Sequence, residues 1–517
     1  MTYIIKQKIR GRIYAYEVQA YWDPVKKQAR QKRRYLGVWD EATGTILKKE
    51  IQKDVRCTKE FGSAYLLKAI SEEKGLLTKL NTAFGKDGNA ILALAFAKII
   101  RPTALRNVEH VMEDTQISEM CGADVSFSSQ WISDFLVRLG NNERGVKEFC
   151  SILIKRKDDA LVYDITSLSS YSKNINWLEY GDEYRKLGMP QVNLALVFSV
   201  EQKLPIYYKI FPGSVNDVST LKNLLQEVKC LGIKNGLFVL DRGFYSESNI
   251  AEMIQEGIDF IIPLPFSTEL AKRMISETKE VIESPDYART YEGKLYYVIE
   301  RKVEVGAHSV YAYFLFNETR KADEVETFYN RLIDVEKALD GHRVYANPWK
   351  HIEQIAGDFK NYFSYEIKGQ MIHLKRDAKA IGEAVNRMGK MVLISSQKLE
   401  WKEALSLYRE RDAIEKLYDE MKNDMELQPL RVRKNETLKG LVFLYFIAAI
   451  VRSLLRQRMI KAKLVEKYSI DEILAEMGKL RAVQIGNIWK LTEITKKQRE
   501  ILKKMNIPVP ISVEHSY

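Results

Sequence analysis

A chain of 517 residues and 60.0 kDa is too long for one hydrophobic core, so two to four domains are expected. With 46% apolar, 10% aromatic and 29% charged residues, its composition is that of an ordinary globular protein. Lys and Arg outnumber Asp and Glu by 81 to 69, a net charge of +12 that suits a polyanionic partner such as nucleic acid without requiring one. Cys57, Cys121, Cys150 and Cys230 lie far apart with no C-x-x-C pair, and there are six scattered His. A zinc finger or a disulfide framework is thereby excluded, and any metal is expected on oxygen ligands. No secretory signal opens the chain, and its longest apolar run, Leu441 to Val451, is too short to cross a bilayer. A cytoplasmic protein without a membrane partner is expected.

Residues 1–60 carry 15 Lys/Arg against 7 Asp/Glu, +8 of the whole chain's +12. This module reads as strands: Ile13 to Trp22 alternates, turns at Asp23-Pro24, and continues from Ala29 to Gly37. The result is a basic, aromatic hairpin whose Arg30, Lys32, Arg33 and Arg34 are candidates for contacting DNA, with a merely solvated sheet face as the plain alternative. Residues 61–150 turn helical, as in Ala64 to Ile70, Ala90 to Ile100 and a Ser-capped start near Ser128, and are expected to form a helical DNA-binding region, with an all-helical linker domain as the plain alternative.

From residue 151 to 265 strands return, at Ala160–Tyr163, Val192–Val200 and Pro205–Phe211. A helix over Asp217–Cys230, a strand at Leu237–Leu240, a helix over Ser246–Glu256 and a strand at Ile258–Ile262 follow. A three-strand meander followed by alternating helix and strand predicts a mixed five-stranded α/β sheet. Residues 266–390 read as a β-rich insertion subdomain. In 391–460 the strand Met391–Ser395 returns to the core and leads into a long helix over Lys402–Met425 and another over Thr437–Arg458. Residues 461–517 read as a helical tail. The run Leu441–Val451 is expected to be a buried helix bracing the one before it.

Asp164 ends the first core strand and Asp241 the fourth, in Asp241-Arg242-Gly243-Phe244. Carboxylates at the ends of neighbouring strands can meet at one sheet edge, where a hard divalent cation would neutralise them, although an Asp after a strand also caps turns. On the helix after the insertion, Tyr408, Arg411, Glu415 and Lys422 are spaced 3, 4 and 7 apart and fall within an arc of roughly 60° at about 100° per residue. One carboxylate between two cations and a phenol fits a metal ligand flanked by phosphate contacts. The alternative is Arg411–Glu415 as an exposed i,i+4 pair worth a few tenths of a kcal/mol.

The order strand-Asp, strand-Asp-Arg-Gly-Phe, insertion, then Tyr-x2-Arg-x3-Glu-x6-Lys on a helix resembles the DDE transposases of bacterial insertion sequences, specifically the insertion-sequence-four superfamily with its YREK signature. The resemblance covers about Leu161 to Lys422 and the helix that follows. It implies an RNase H-like core in which Asp164, Asp241 and Glu415 are catalytic and hold two Mg2+ ions, with Mn2+ as a substitute. It also implies DNA contacts from Tyr408, Arg411 and Lys422, joined by Arg242 beside Asp241. The implied activity is cleavage at the terminal inverted repeats of the element and joining of 3′-OH ends to target DNA, by a homodimer at the bacterial nucleoid. A host-adopted inactive DNA-binding protein and a simple metal-dependent nuclease with the same core are the competing readings.

Overall fold

A computed structural model describes the chain apart from residues 1, 10–11, 25, 42, 48–54, 155–158, 182–187, 216–220, 222–223, 225–226, 229, 234–235, 279–281, 345–346 and 514–517. The basic N-terminal segment folds as an antiparallel four-stranded sheet of β1 (Thr2–Ile9), β2 (Arg12–Asp23), β3 (Gln28–Asp40) and β4 (Thr45–Leu47). In β3 the first eight residues are exposed, so Arg30, Lys32, Arg33 and Arg34 face solvent, with Arg30 3.5 Å from Asp23.

After β5 (Val55–Glu60), seven helices from Gly62 to Leu153 build a helical block. Its core is shared with the helix Asn435–Lys461, in which every residue from Leu438 to Leu455 except Lys439 is buried. A helix apolar all round must be enclosed. This one is long and apolar enough to span a membrane by length and composition, but it lies inside the fold. It approaches the helix Ser129–Asn141 so closely that a Cβ on Gly440 would overlap the Leu136 carbonyl, and one on Gly140 the Glu436 carbonyl. The helical region is therefore not a separable domain, because its apolar faces close only on this late segment.

Among the described residues the central sheet has nine strands, in the order β11-β12-β13-β16-β10-β9-β6-β7-β8. At one end β6 (Ala160–Ser169), β7 (Gln191–Ser199) and β8 (Leu204–Pro212) form an antiparallel meander. Then β9 (Leu237–Val239) pairs parallel to β6, and β10 (Asp259–Pro263) parallel to β9. All nine residues of β7 are buried, as expected of a strand covered on both faces. The helix expected over Asp217–Cys230 lies largely outside the described residues.

Three expectations need correction. The sheet does not stop at five core strands: β11 (Ala288–Tyr291), β12 (Lys294–Val305) and β13 (His308–Phe316) extend it, because β13 pairs antiparallel with β16 (Lys390–Ser395), which pairs with β10. What protrudes is the shorter stretch 318–389, and it is mainly helical. Its helices Glu318–Leu339, Pro348–Ala356 and Ala378–Arg387 enclose a hairpin of β14 (Phe363–Lys368) and β15 (Met371–Arg376) around their own small core, with Leu332, Val335 and Ile372 at its centre. The C-terminal stretch is not purely helical either: β17 (Arg481–Ile485) and β18 (Ile488–Leu491) form a hairpin whose β17 pairs with β5. That pairing covers an otherwise open edge of β5.

Candidate active site

The site begins with strand register. In the parallel pairing of β6 with β9, Val162 stands opposite Val239, the last such pair. Two residues further along each chain are Asp164 and Asp241, so a common register places both acids at one level. Asp164 is thus within β6, not at its end as the sequence suggested. It lies where β9 has left the sheet and room opens beside β6. Behind Asp241, Arg242–Phe244 makes a 3-10 turn, and Phe244 is buried against Tyr163 with ring centroids 5.1 Å apart. The aromatic residue of Arg-Gly-Phe anchors the turn that presents Asp241. Arg242 itself is exposed.

The third acid arrives on a broken helix. The expected helix over Lys402–Met425 is three pieces: Trp401–Arg409, Arg411–Asp419 and a π turn over Glu420–Asp424. Ile414, Leu417 and Tyr418 fasten the middle piece to the core. Tyr418 donates its hydroxyl to the Asp164 carbonyl oxygen at 2.7 Å, with the Leu194 carbonyl 3.2 Å away. This tether between the Glu415 helix and the Asp164 strand escapes sequence reading, because Tyr418 there looks like one more residue of an apolar stripe. Tyr408, Arg411 and Glu415 come together across the break at Glu410, as their spacing of 3 and 4 predicts, while Lys422 sits on the π turn, out of α-helical register with them.

At the centre lies Arg411. Its Nη1 is 2.9 Å from Asp241 Oδ1 and donates to the Tyr408 hydroxyl at 3.0 Å, and its Nη2 is 2.7 Å from Glu415 Oε1. The side chain is only 12% exposed, and its buried Nε has no hydrogen-bond partner. The i,i+4 pair is therefore present, but it is one arm of a cation shared between acids from two elements. Burial alone would lower the Arg411 pKa; Asp241, Tyr408, Asp164 and Glu415 together raise it instead. Burial pushes Asp164 up to about 7 against the opposing pull of Arg411 and of the Ile165 N–H, which donates to Asp164 Oδ1 at 2.9 Å. Burial also raises the Tyr408 phenol.

Three hard carboxylate donors around one positive charge are the right chemistry for a divalent metal. Among the described residues, no three acidic, His or Cys side chains stand close enough to hold an ion; the Arg411 guanidinium pairs with two of the three acids instead. Beside the cluster a cleft of about 430 Å³ is lined by Tyr408 and Arg411 together with Arg409, Arg320 and Lys294. The last two come from the β12 hairpin and the protruding part, far away in sequence, and no spacing pattern signals them.

A family model described as the transposase DDE domain matches residues 155–451, more than half of the chain and all of this site. No curated protein matches. Among solved structures, the cryo-EM structure of a piggyBac transposase synaptic complex with hairpin DNA is similar at a TM-score of 0.37 and 10% identity, over 88% of this chain and 84% of that one, a likeness too slight to argue from. On the family match, the chain belongs to the DDE-domain transposases.

Proposed function

We propose that this transposase is the cut-and-paste enzyme of an insertion sequence of the YREK type, acting on the terminal inverted repeats of its element and on target DNA. The observation that carries the reading is the convergence of Asp164, Asp241 and Glu415, from β6, the end of β9 and a distant helix, around the Arg411 guanidinium. The meander β6-β7-β8 continued by parallel β9 and β10 supports an RNase H-like core.

In this reading Asp164, Asp241 and Glu415 would hold two divalent cations, Mg2+ or in its place Mn2+, which would supply charge neutralisation at the scissile phosphate and an activated water. Arg411 leaves the carboxylates for a DNA phosphate, and Tyr408, Lys422 and Arg242 steady the same strand. In hydrolysis the oxygen of water bonds to phosphorus as the bond from phosphorus to the 3′ oxygen breaks, leaving a 5′-phosphate and a free 3′-OH. The same acids then present that hydroxyl to a target phosphodiester, where one P–O bond forms as another breaks. No covalent link to the protein is needed. A homodimer at the cytoplasmic nucleoid would bring two ends together.

The test is cleavage of a plasmid carrying the element ends. Asp164→Ala, Asp241→Ala and Glu415→Ala are each expected to abolish Mg2+-dependent cutting while leaving end binding nearly intact. Joining of free 3′ ends to a second plasmid distinguishes a transposase from a nuclease. Near-normal cutting by Glu415→Gln would overturn the assignment.

A further inference from the structure

The segment that leaves the π turn forms one wall of a second cleft, of about 710 Å³, whose other wall is the helical block. That volume falls within the roughly 300–1,000 Å³ typical of ligand pockets. Its lining carries five cations, Lys98, Arg106, Arg431, Arg433 and Lys434, against a single carboxylate, Glu426. Arg106, Arg431, Arg433 and Lys434 are exposed, and among the described residues none forms an ion pair with a carboxylate. Lys98 is the opposite case: 3% exposed, its ammonium donates to the Thr103 carbonyl and lies 5.7 Å from the centre of the Tyr445 ring. Burial pulls its pKa down to about 8, a sign that Glu426 compensates its charge only in part. Like charges gathered in one cleft repel one another, so the arrangement calls for an anion.

The cleft has a fixed place relative to the acids. Leu430 donates its N–H to the Ser169 carbonyl at 2.8 Å and accepts from the Ser170 hydroxyl at 3.0 Å, which ties the basic segment to the far end of β6. Ser169 is five residues beyond Asp164 on that strand, about 17 Å at roughly 3.3 Å per residue. For a duplex lying along β6, with successive phosphates of one strand about 3.4 Å apart along the axis, this offset corresponds to about five nucleotides.

We propose that this cleft seats the phosphodiester backbone of the DNA about five nucleotides from the cleavage point, with Arg106, Arg431, Arg433 and Lys434 on successive phosphates and Lys98 at the floor. The assignment rests on the DNA-cutting reading above and adds to it a binding subsite outside the acid cluster. Free small phosphates share the same chemistry and form the control.

Full-length wild-type protein and the Arg431→Ala/Arg433→Ala/Lys434→Ala variant are titrated with a 30-base-pair duplex over a range of salt. The variant is expected to lose about 2.7 from the slope of log K against log salt, at about 0.9 per phosphate contact. An unchanged slope overturns the proposal. Should the variant misfold, acetylation of the wild-type protein with peptide mass spectrometry gives the answer without substitution. Lys434 is expected to be protected several-fold by the duplex and not by the same concentration of pyrophosphate. Labelling of Lys434 that ignores bound duplex overturns the cleft assignment alone, and equal protection by pyrophosphate assigns the cleft to small phosphates and overturns it too. Wild-type protein that binds no duplex at all would defeat the transposase reading along with it.

Discussion

In the proposed reading Arg411 has two partners of opposite meaning, the acids of its own chain and the phosphates of DNA, and its guanidinium can satisfy one set at a time. Without metal it neutralises Asp241 and Glu415 and faces Asp164, so it stabilises a cluster that would otherwise repel itself. Arg411→Ala is therefore expected to destabilise the metal-free protein by on the order of 1–3 kcal/mol, as charge-assisted contacts do, and to enlarge the rise in melting temperature that Mg2+ produces. A surface i,i+4 pair would leave both quantities nearly unchanged. In cleavage the same variant is expected to recover in part with excess DNA or low salt, whereas Glu415→Gln fails at every Mg2+ or Mn2+ concentration. Lys98 gives a separate prediction with a definite sign. Its folded pKa is near 8, below the unfolded 10.5, so the charged form is penalised in the folded state at neutral pH and stability rises between pH 8 and 10.5 as the folded protein sheds the proton first. Lys98→Met is expected to be more stable than wild type at pH 7 by on the order of 1–3 kcal/mol, with the advantage shrinking across that window in denaturant titrations.

At the scale of elements, the helix Asn435–Lys461 decides where the Glu415 segment sits. Its Arg452 is 1% exposed and binds Glu420 at 2.9 Å, Asp424 at 2.7 Å and Asp471 at 3.1 Å, while Tyr445 donates to the Met425 carbonyl at 2.8 Å. These bonds pin both ends of the π turn that follows Glu415. The apolar run Leu441–Val451 announces such a buried brace in the sequence, and the structure has it. The spacing of Tyr408, Arg411 and Glu415 was equally legible, since one helical turn sets it. The π turn that displaces Lys422 was not, because it follows from Arg452 pairing with residues some thirty positions earlier. For the same reason β12 and β13 read as an independent subdomain: their alternation gives strand character but not the partner, and β16 lies some eighty residues further on. Backbone contact between the brace and the helix Ser129–Asn141 leaves no room for a methyl group at Gly440. Gly440→Ala is expected to lower stability by about 1–3 kcal/mol through overpacking, measured by thermal unfolding, and to reduce cleavage in proportion to the folded fraction.

For the whole molecule, the shared core changes which part can be removed. A truncation starting near residue 151 would strip the helical block from the brace and expose a large apolar surface, and it would leave β17 without β5, so loss of DNA binding by that fragment would report unfolding. The β1–β4 sheet is different. Among the described residues its strands pair only with one another, and much of β1 and β3 is exposed on both faces. Tyr3, Tyr21, Trp22 and Tyr35 stand exposed on a sheet that also carries Arg30, Lys32, Arg33 and Arg34. Aromatic rings among unburied cations suit a surface that binds DNA through phosphates and stacking. Deletion of residues 1–54 keeps β5 and its pairing, so the remaining chain is expected to unfold at nearly the wild-type temperature and to retain Mg2+-dependent cutting at high DNA concentration. Its affinity for duplex DNA is expected to fall, with a salt slope reduced by about 0.9 for each phosphate contact the sheet had made. If the deleted protein bound duplex with unchanged affinity and slope, the sheet would be a solvated face and recognition would rest on the two clefts alone.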